Sequence, residues 1–250
     1  ELVGAKQNRI VNTTILVQGK STTVIPVSCV EQGRWSYDSP SFHSKERLMS
    51  AQLRGLKAEQ VHRSIRTSDN FRSDQSEIWD EISSKAARME AESPTMAMSE
   101  IYEKKRSKLS DYVSHFRLVE MQVGAVFSIN GKVVGLDTFG KPETFAKVFK
   151  KLVESYALDA IDWSETEVAS KTLRSKVTRF LRTAGVAKLE SRPSVGLGTD
   201  FRLESRNLNG FALVHEDRIL HLSVFARSND HREEPYSSGM QRFSSRRRYR

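Results

Sequence analysis

Gly124 to Phe139 reads GAVFSINGKVVGLDTF, and Gly210 to Phe225, 86 residues further on, reads GFALVHEDRILHLSVF. The two stretches align without a gap. Gly124, Leu136 and Phe139 recur as Gly210, Leu222 and Phe225, while Phe127, Lys132, Val133 and Val134 are matched in character by Leu213, Arg218, Ile219 and Leu220. In each copy two β-rich runs flank a polar pair, Asn130-Gly131 or Glu216-Asp217. Asn and Gly both accept positive φ, which makes the first pair a strong hairpin signal. The sequence therefore predicts an internally duplicated pair of β-hairpins.

Uninterrupted ladders from two-residue turns pair 129 with 132, 127 with 134 and 125 with 136, and in the second copy 215 with 218, 213 with 220 and 211 with 222. The expected core face then carries Val123, Ala125, Phe127, Val134 and Leu136, with Phe211, Leu213, Leu220, Leu222 and Val224 from the second copy. The opposite face is small and polar: Glu120, Gln122, Gly124, Gly135 and Asp137 beside Gly210, Ala212, His221 and Ser223. Glycine weakens a strand unless a bend, a bulge or a close approach uses the missing side chain. This face is expected either to form a ligand platform or to carry helices at close range, with Glu120 and Asp137 at its wet rim.

Composition narrows the setting. A chain of 250 residues with 38% hydrophobic content can bury a core of its own. The single cysteine, Cys29, excludes an intrachain disulfide and a cysteine metal cage, and favours a reducing, cytoplasmic compartment. Between two valine-bearing neighbours it reads as a small buried hydrophobe rather than a nucleophile. No apolar run reaches the roughly 18 residues of a membrane span, so no membrane partner is expected. Starting at Glu1, the chain leaves an upstream segment open. The net charge of +9 points to anionic partners, and much of it is local: the Ser/Arg-rich tail, 228–250, ends in Arg246, Arg247, Arg248 and Arg250 and has the composition of a disordered segment.

In chain order, Ile10–Val17 and Thr22–Val30 predict an N-terminal hairpin around Gln18-Gly19-Lys20-Ser21, with Pro26 marking an edge strand. Glu31 and Arg34 lie just past its end, where polar groups commonly overlook a site. Residues 45 to 115 read as helices: one over 45–65, one capped by Asp74 with Ile78, Ile82, Ala86 and Met89 on its apolar stripe, and one from Met98 to Phe116. Pro142 opens a further amphipathic helix, and Ser164 with Glu167 forms a capping box for another that stops at Gly185. Gly196-Leu197-Gly198-Thr199-Asp200 lacks a Walker lysine and a dinucleotide fingerprint, and reads as a loop that leads into a strand and offers backbone donors to an anion. The fold class expected is α+β, a single domain over 1–227 with a helical insertion at about 45–115.

Tempting catalytic signatures are missing: no GxSxG elbow, no HExxH and no cysteine pair. His215 and His221 fall on opposite faces of an unbulged hairpin, so a shared metal ion would need a bulge, and none is expected. What survives is Glu120, Asp137 and His221 as the acid–base set, with Glu31, Arg34, Gln122, Thr199 and Asp200 as ligand contacts.

The runs IVNTTILV from Ile10, IPVSCVEQGRW from Ile25, SVGLGTDFRLES from Ser194 and GFALVHEDRILHLSVF from Gly210 together resemble the ARG and rhodanese-phosphatase-superfamily-associated protein domain family, over most of Asn8 to Arg227. The family is one of unknown function. Its name records association with ADP-ribosylglycohydrolases, so the resemblance implies an ADP-ribose-like or other nucleotide-derived ligand. The alternative is a non-enzymatic interaction module that captures nucleic acid or an acidic protein through its basic surface and tail. If the tail is an electrostatic arm, truncation after Asp230 leaves the melting temperature within about 2 °C and weakens nucleic-acid binding with a shallower salt dependence. A melting curve and a salt titration of DNA binding check this; a large drop in melting temperature would mean that the arginines dock on the fold.

Overall fold

Four short strands build the first sheet. In the computed structural model, which describes residues 2–4, 7–33, 43–44, 46–163 and 174–227, strands β1 (Leu2–Gly4), β2 (Asn8–Val11), β3 (Val27–Cys29) and β4 (His43–Ser44) form an antiparallel sheet in the order β3-β2-β1-β4. The N-terminal hairpin is present but short, pairing Arg9 with Cys29, Ile10 with Ser28 and Val11 with Val27. Beyond that the arms leave the ladder: the Asn12 N–H donates to the Pro26 carbonyl at 3.0 Å, and Leu16 forms a bridge with Leu197 of the second half of the chain. Pro26 lacks a donor and sits next to β3, which is an edge strand, where proline is tolerated.

Helices α1 (Ala51–Ser68), α2 (Gln75–Arg88), α3 (Met98–Lys104) and α4 (Arg106–Ser114) follow, and α5 (Pro142–Trp163) packs among them. Asp74 caps α2 by accepting from the Glu77 N–H. The single helix expected from Met98 onward is two, separated at Lys105 with φ −99° and ψ 11°. For α1 the cap comes from a distant residue. Ser50 makes no side-chain cap bond, and instead Asp159 of α5 accepts from the Gln52 N–H at 2.7 Å, a carboxylate at the positive end of the helix. The same Asp159 and Asp162 hold the buried Lys85 of α2 at 2.9 and 2.6 Å. Around this ionic pin, Leu53, Ile78, Ile82, Met98, Ile101, Tyr102 and Leu158 form the main apolar core, together with Ile10 and Val30 of the first sheet.

The second sheet has six strands, β5 (Gly124–Ile129), β6 (Lys132–Phe139), β7 (Lys188–Pro193), β8 (Thr199–Glu204), β9 (Leu208–His215) and β10 (Arg218–Ala226), in the order β5-β6-β10-β9-β8-β7. Both duplicated hairpins form, and both turns take positive φ at their central pair, 49° and 77° at Asn130-Gly131, 50° and 57° at Glu216-Asp217. Ile129 faces Lys132 and His215 faces Arg218, as the spacing requires. Two steps up, however, Phe127 faces Gly135 and Leu213 faces His221, so Val134 and Leu220 are bulged. The two bulges are equivalent in the repeat. Each reverses the side assignments of every residue above it on its strand.

This corrects the expected faces. Phe127, Ala125, Gly135, Asp137, Phe211, Leu213, His221, Ser223 and Phe225 share one side; Gly124, Leu136, Gly210, Ala212, Leu222 and Val224 share the other. On that second side Leu136, Leu222, Ala212 and Val224 join Leu203 and Leu208 beneath Phe180 and Ala184 of α6 (Arg174–Gly185). The expectation that Leu136 and Leu222 share a core holds. The two hairpins meet through β6 and β10, where Asp137 faces Ser223, and Leu136–Val224 and Thr138–Leu222 are images of each other under the repeat. A local pseudo-twofold thus passes through the Asp137–Ser223 pair.

The Arg34 assignment, the Ser164–Glu167 capping box and the tail from Ser228 lie outside the described residues. No helix among the described residues is long and apolar enough to cross a membrane.

Gly135 shows why a glycine is needed mid-strand. A Cβ there would collide with the Tyr156 hydroxyl and come within 3.0 Å of the Val224 carbonyl, and Tyr156 is stacked on Phe127 at 3.8 Å. Gly135→Ala is expected to lower the melting temperature by roughly 5–10 °C, and Tyr156→Phe to recover part of that loss in the double variant, because the hydroxyl is the nearest obstacle. Melting curves of the two single variants and the double variant check the coupling; strict additivity would remove the clash as the cause.

Candidate functional site

The strand register lays out a grid on the side of the sheet that faces α1 and α5. One row across the strands runs Ala125, Asp137, Ser223, Phe211, Arg202 and Glu190, and the next runs Phe139, His221, Leu213, Asp200 and Arg192. Because alternate residues share a face, these side chains are forced together under α1. They make a polar layer inside the protein.

Asp137 is its centre. It is fully buried and accepts from Nη1 and Nη2 of Arg54 at 2.8 and 3.1 Å, from the Tyr156 hydroxyl at 2.9 Å and from the Ser223 hydroxyl at 2.5 Å. Burial opposes its ionisation, but the Arg54 guanidinium and His221 outweigh that cost and hold the carboxyl well below the usual carboxylate range. Tyr156 is pushed well above the ordinary phenol range by burial and then by the Asp137 charge, so it acts as a donor. The guanidinium of Arg54 also lies 5.2 Å from the Tyr156 ring centre and 5.1 Å from that of Phe225.

His221 carries the network towards solvent. Its Nε2 meets Ser223 Oγ at 3.0 Å and lies 3.8 Å from Asp137 Oδ1, and its Nδ1 meets Thr14 Oγ1 at 2.6 Å. The ring is stacked on Phe139 at 4.3 Å and meets Phe211 edge-on at 5.5 Å, and its side chain is 15% exposed. The order is carboxylate, serine, histidine. Ser223 is therefore a buried link between acid and imidazole rather than a nucleophile set before a base.

Alongside lies a second pair. Asp200 accepts from Arg202 Nε at 2.6 Å and Nη2 at 2.8 Å, and Thr13 bridges both. Arg202 is buried, with its guanidinium 5.6 Å from the centre of Phe71 and 5.4 Å from that of Phe211, and burial lowers its pKa. Lys57 of α1 is buried too, donating to the Val11 carbonyl at 2.5 Å.

The expected site residues thus separate. Asp137 and His221 come together, and Asp200 joins the same layer from β8. Glu120 is exposed in the turn before β5, and Gln122 ties its own loop by accepting from Val119 N–H and donating to the Gly124 carbonyl. Glu31 is buried in the first sheet, where its carboxylate accepts from the Asn8 N–H at 2.9 Å. Thr199 is a strand residue at the start of β8, not a loop donor. The Leu220 bulge does bring His215 and His221 to one face, against the unbulged reading, yet both ring nitrogens of His221 are engaged by Thr14 and Ser223. Arg54, Lys57, Tyr156 and Arg202 were missed. Arg54 and Lys57 stand three apart on α1, a helical-face spacing, but nothing in the sequence says which face meets the sheet.

Asp137→Asn would leave Arg54 as a buried charge without a full counter-charge. Such a loss typically costs about 3–5 kcal/mol, so the variant is expected to melt about 10 °C lower or more. Glu120→Gln, on an exposed turn, is expected within about 1 °C of the parent. Thermal melts of both check this; a wild-type melting temperature for Asp137→Asn would free the carboxylate from its structural role.

No curated protein and no solved structure shows a significant match. A family model does, across residues 1–225, which include the first sheet, the second sheet to within one residue of the end of β10 and the whole Asp137 layer. The chain belongs to the ARG and Rhodanese-Phosphatase-superfamily-associated Protein domain family.

Proposed function

We propose that this is a cytoplasmic domain that binds or processes an ADP-ribose-like or other nucleotide-derived ligand at the rim where His221 emerges. One observation carries the reading: among the expected site residues, His221 both belongs to the Asp137 network and reaches solvent. A histidine oriented by two hydroxyls and lying flat on Phe139 is suited to hydrogen-bond a ligand or move a proton, with a ring beside it on which a base can stack. The family name supplies the ligand class through its link to ADP-ribosylglycohydrolases, and the net positive charge favours a diphosphate. Asp137 and Arg54 are positioning residues here, held away from the ligand.

One observation favours the non-enzymatic reading: the same face is packed under α1 and α5, with Gly55 against Phe225 and Tyr156 against Gly135. A module of that kind would bind nucleic acid or an acidic protein on its exterior.

The test is a thermal-shift series with ADP-ribose, NAD and AMP on the parent, His221→Gln and Thr14→Val. At least one nucleotide is expected to raise the parent melting temperature by several degrees, with about tenfold weaker binding in His221→Gln. A flat response to every nucleotide, with salt-sensitive binding of DNA, would hand the case to the interaction module.

A further inference from the structure

Donor and acceptor capacity fixes the proton positions along the chain of groups from Asp137 to Thr14. The Asp137 carboxylate, held ionised beside Arg54, can only accept, so Ser223 gives its one proton to Asp137 Oδ1. The Ser223 oxygen is then the acceptor for His221, and Nε2 carries the imidazole proton at 3.0 Å from it. In the neutral ring Nδ1 keeps its lone pair. Facing that lone pair at 2.6 Å is the Thr14 hydroxyl, which therefore donates. This is the one side-chain hydrogen bond of Thr14 among the described residues, and its oxygen keeps both lone pairs for an incoming group.

The structure assigns Thr14 as a nucleophile for acyl transfer from a carboxylic ester, with His221 Nδ1 as its general base and Ser223 as the positioning residue that links the imidazole to Asp137. Nucleophile, base and orienting groups each lie within hydrogen-bond reach of the next. Thr14 is half-buried and stands at the outer end of this chain. The segment that carries it is held on both sides. Asn12 donates to the Phe71 carbonyl at 2.9 Å and accepts from the Ser28 hydroxyl at 2.7 Å, Thr13 is bonded to Asp200 and Arg202, and the Leu16 carbonyl accepts from the Leu197 N–H at 2.8 Å. A hydroxyl fixed in this way attacks without a large rearrangement. A carbonyl centre suits the site better than a phosphoryl one, whose charge needs cations, because the forks of Arg54 and Arg202 are already engaged by Asp137 and Asp200. The inference rests on the reading of the His221 rim as the ligand site and adds a reaction that ligand binding there does not require.

In the first half-reaction Thr14 Oγ1 forms a bond to the ester carbonyl carbon, the carbonyl π pair moves to the carbonyl oxygen, and the hydroxyl proton passes to His221 Nδ1. The imidazolium that results lies 3.8 Å from Asp137 Oδ1 and keeps its Nε2 bond to Ser223, so the buried carboxylate stabilises it. The adduct then collapses. Its oxygen pair re-forms the carbonyl, the bond to the leaving oxygen breaks, and Nδ1 returns the proton to that oxygen as the alcohol departs. Water repeats the sequence on the acyl-threonine: Nδ1 takes a proton from the water as it attacks, and gives it back to Thr14 Oγ1 as the carboxylic acid is released.

The probe is p-nitrophenyl acetate, a small activated ester that carries no nucleotide. Acid-quenched full chain is expected to hold one acetyl group, located on Thr14 by peptide mapping, after a burst of about one equivalent of p-nitrophenolate. Thr14→Ser keeps the hydroxyl and is expected to be acetylated at the same position. Thr14→Val is expected to fold and to lose the burst and the adduct, and His221→Gln to acetylate about a hundredfold more slowly because no base takes the proton. No acetylation of the parent, an adduct on any other residue, or a burst of parental size in folded Thr14→Val or His221→Gln overturns the assignment. Should Thr14→Val not fold, the mapped position in the parent and the rate in His221→Gln decide. Acetylation of Thr14 without any nucleotide response keeps the nucleophile and removes the nucleotide reading; a nucleotide response without acetylation does the reverse.

Discussion

A two-pronged ion pair between Arg54 and Asp137 fastens the first long helix to the middle of the large sheet. Neither partner could be buried alone, since an uncompensated charge in the interior costs several kcal/mol. Once they are joined, much else is set. Gly55, next along the helix, is held against Phe225 and its carbonyl receives Asn209 Nδ2 at 3.1 Å; Tyr156 is drawn to the same carboxylate through the gap left by Gly135. At the far end of the helix His62 and Arg66 grip Glu190, and Arg66 reaches Glu204. The helix is pinned at both ends by charge and in the middle by close packing.

Much of the architecture was readable from local chemistry. Asn130-Gly131, Asp74, Pro142 and Gly185 each act within a few residues of themselves, so turns, caps and helix ends could be placed without knowledge of the fold. The duplication was equally legible because it needs only comparison of the chain with itself. The side assignments were not. A bulge in Val133-Val134 or Ile219-Leu220 has no signature when every neighbouring residue favours a strand, and one extra residue inverts the face. Asp137 was read correctly as lying with Gly135, His221 and Ser223, since all four sit above the bulges. The error fell on Gly124, Gly210 and Ala212, below the crossover, and on Glu120 and Gln122, which lie before the strand. The short strand β7 was missed because Lys188-Leu189-Glu190-Ser191-Arg192 has ordinary surface composition; its role is to deliver Glu190 to the helix.

The polar layer is where propensity and site disagree most. A face containing aspartate, serine, arginine and histidine would be assigned to solvent on alternation alone, yet Asp137, Ser223, Asp200 and Arg202 are almost wholly buried. Burial is tolerated because nearly every acceptor is met by a charged or hydroxyl donor. Arg54 Nε and Arg202 Nη1 on the donor side, and Asn209 Oδ1 on the acceptor side, are buried without a hydrogen-bond partner among the described residues.

The pseudo-twofold through Asp137 and Ser223 bears on how such a layer could arise. In a symmetric dimer of single hairpins, whatever residue occupies the axis faces its own copy. Two aspartates there would share a proton, and two serines would leave Arg54 with no counter-charge. Fusing the copies into one chain lifts that restriction. The axis then holds an acid on one strand and a hydroxyl on the other, while one step away the equivalent positions hold Gly135, which admits Tyr156, and His221, which reaches out to Thr14. The asymmetry that directs this network from a buried carboxylate to an accessible imidazole is available only to a duplicated chain whose halves have been free to diverge.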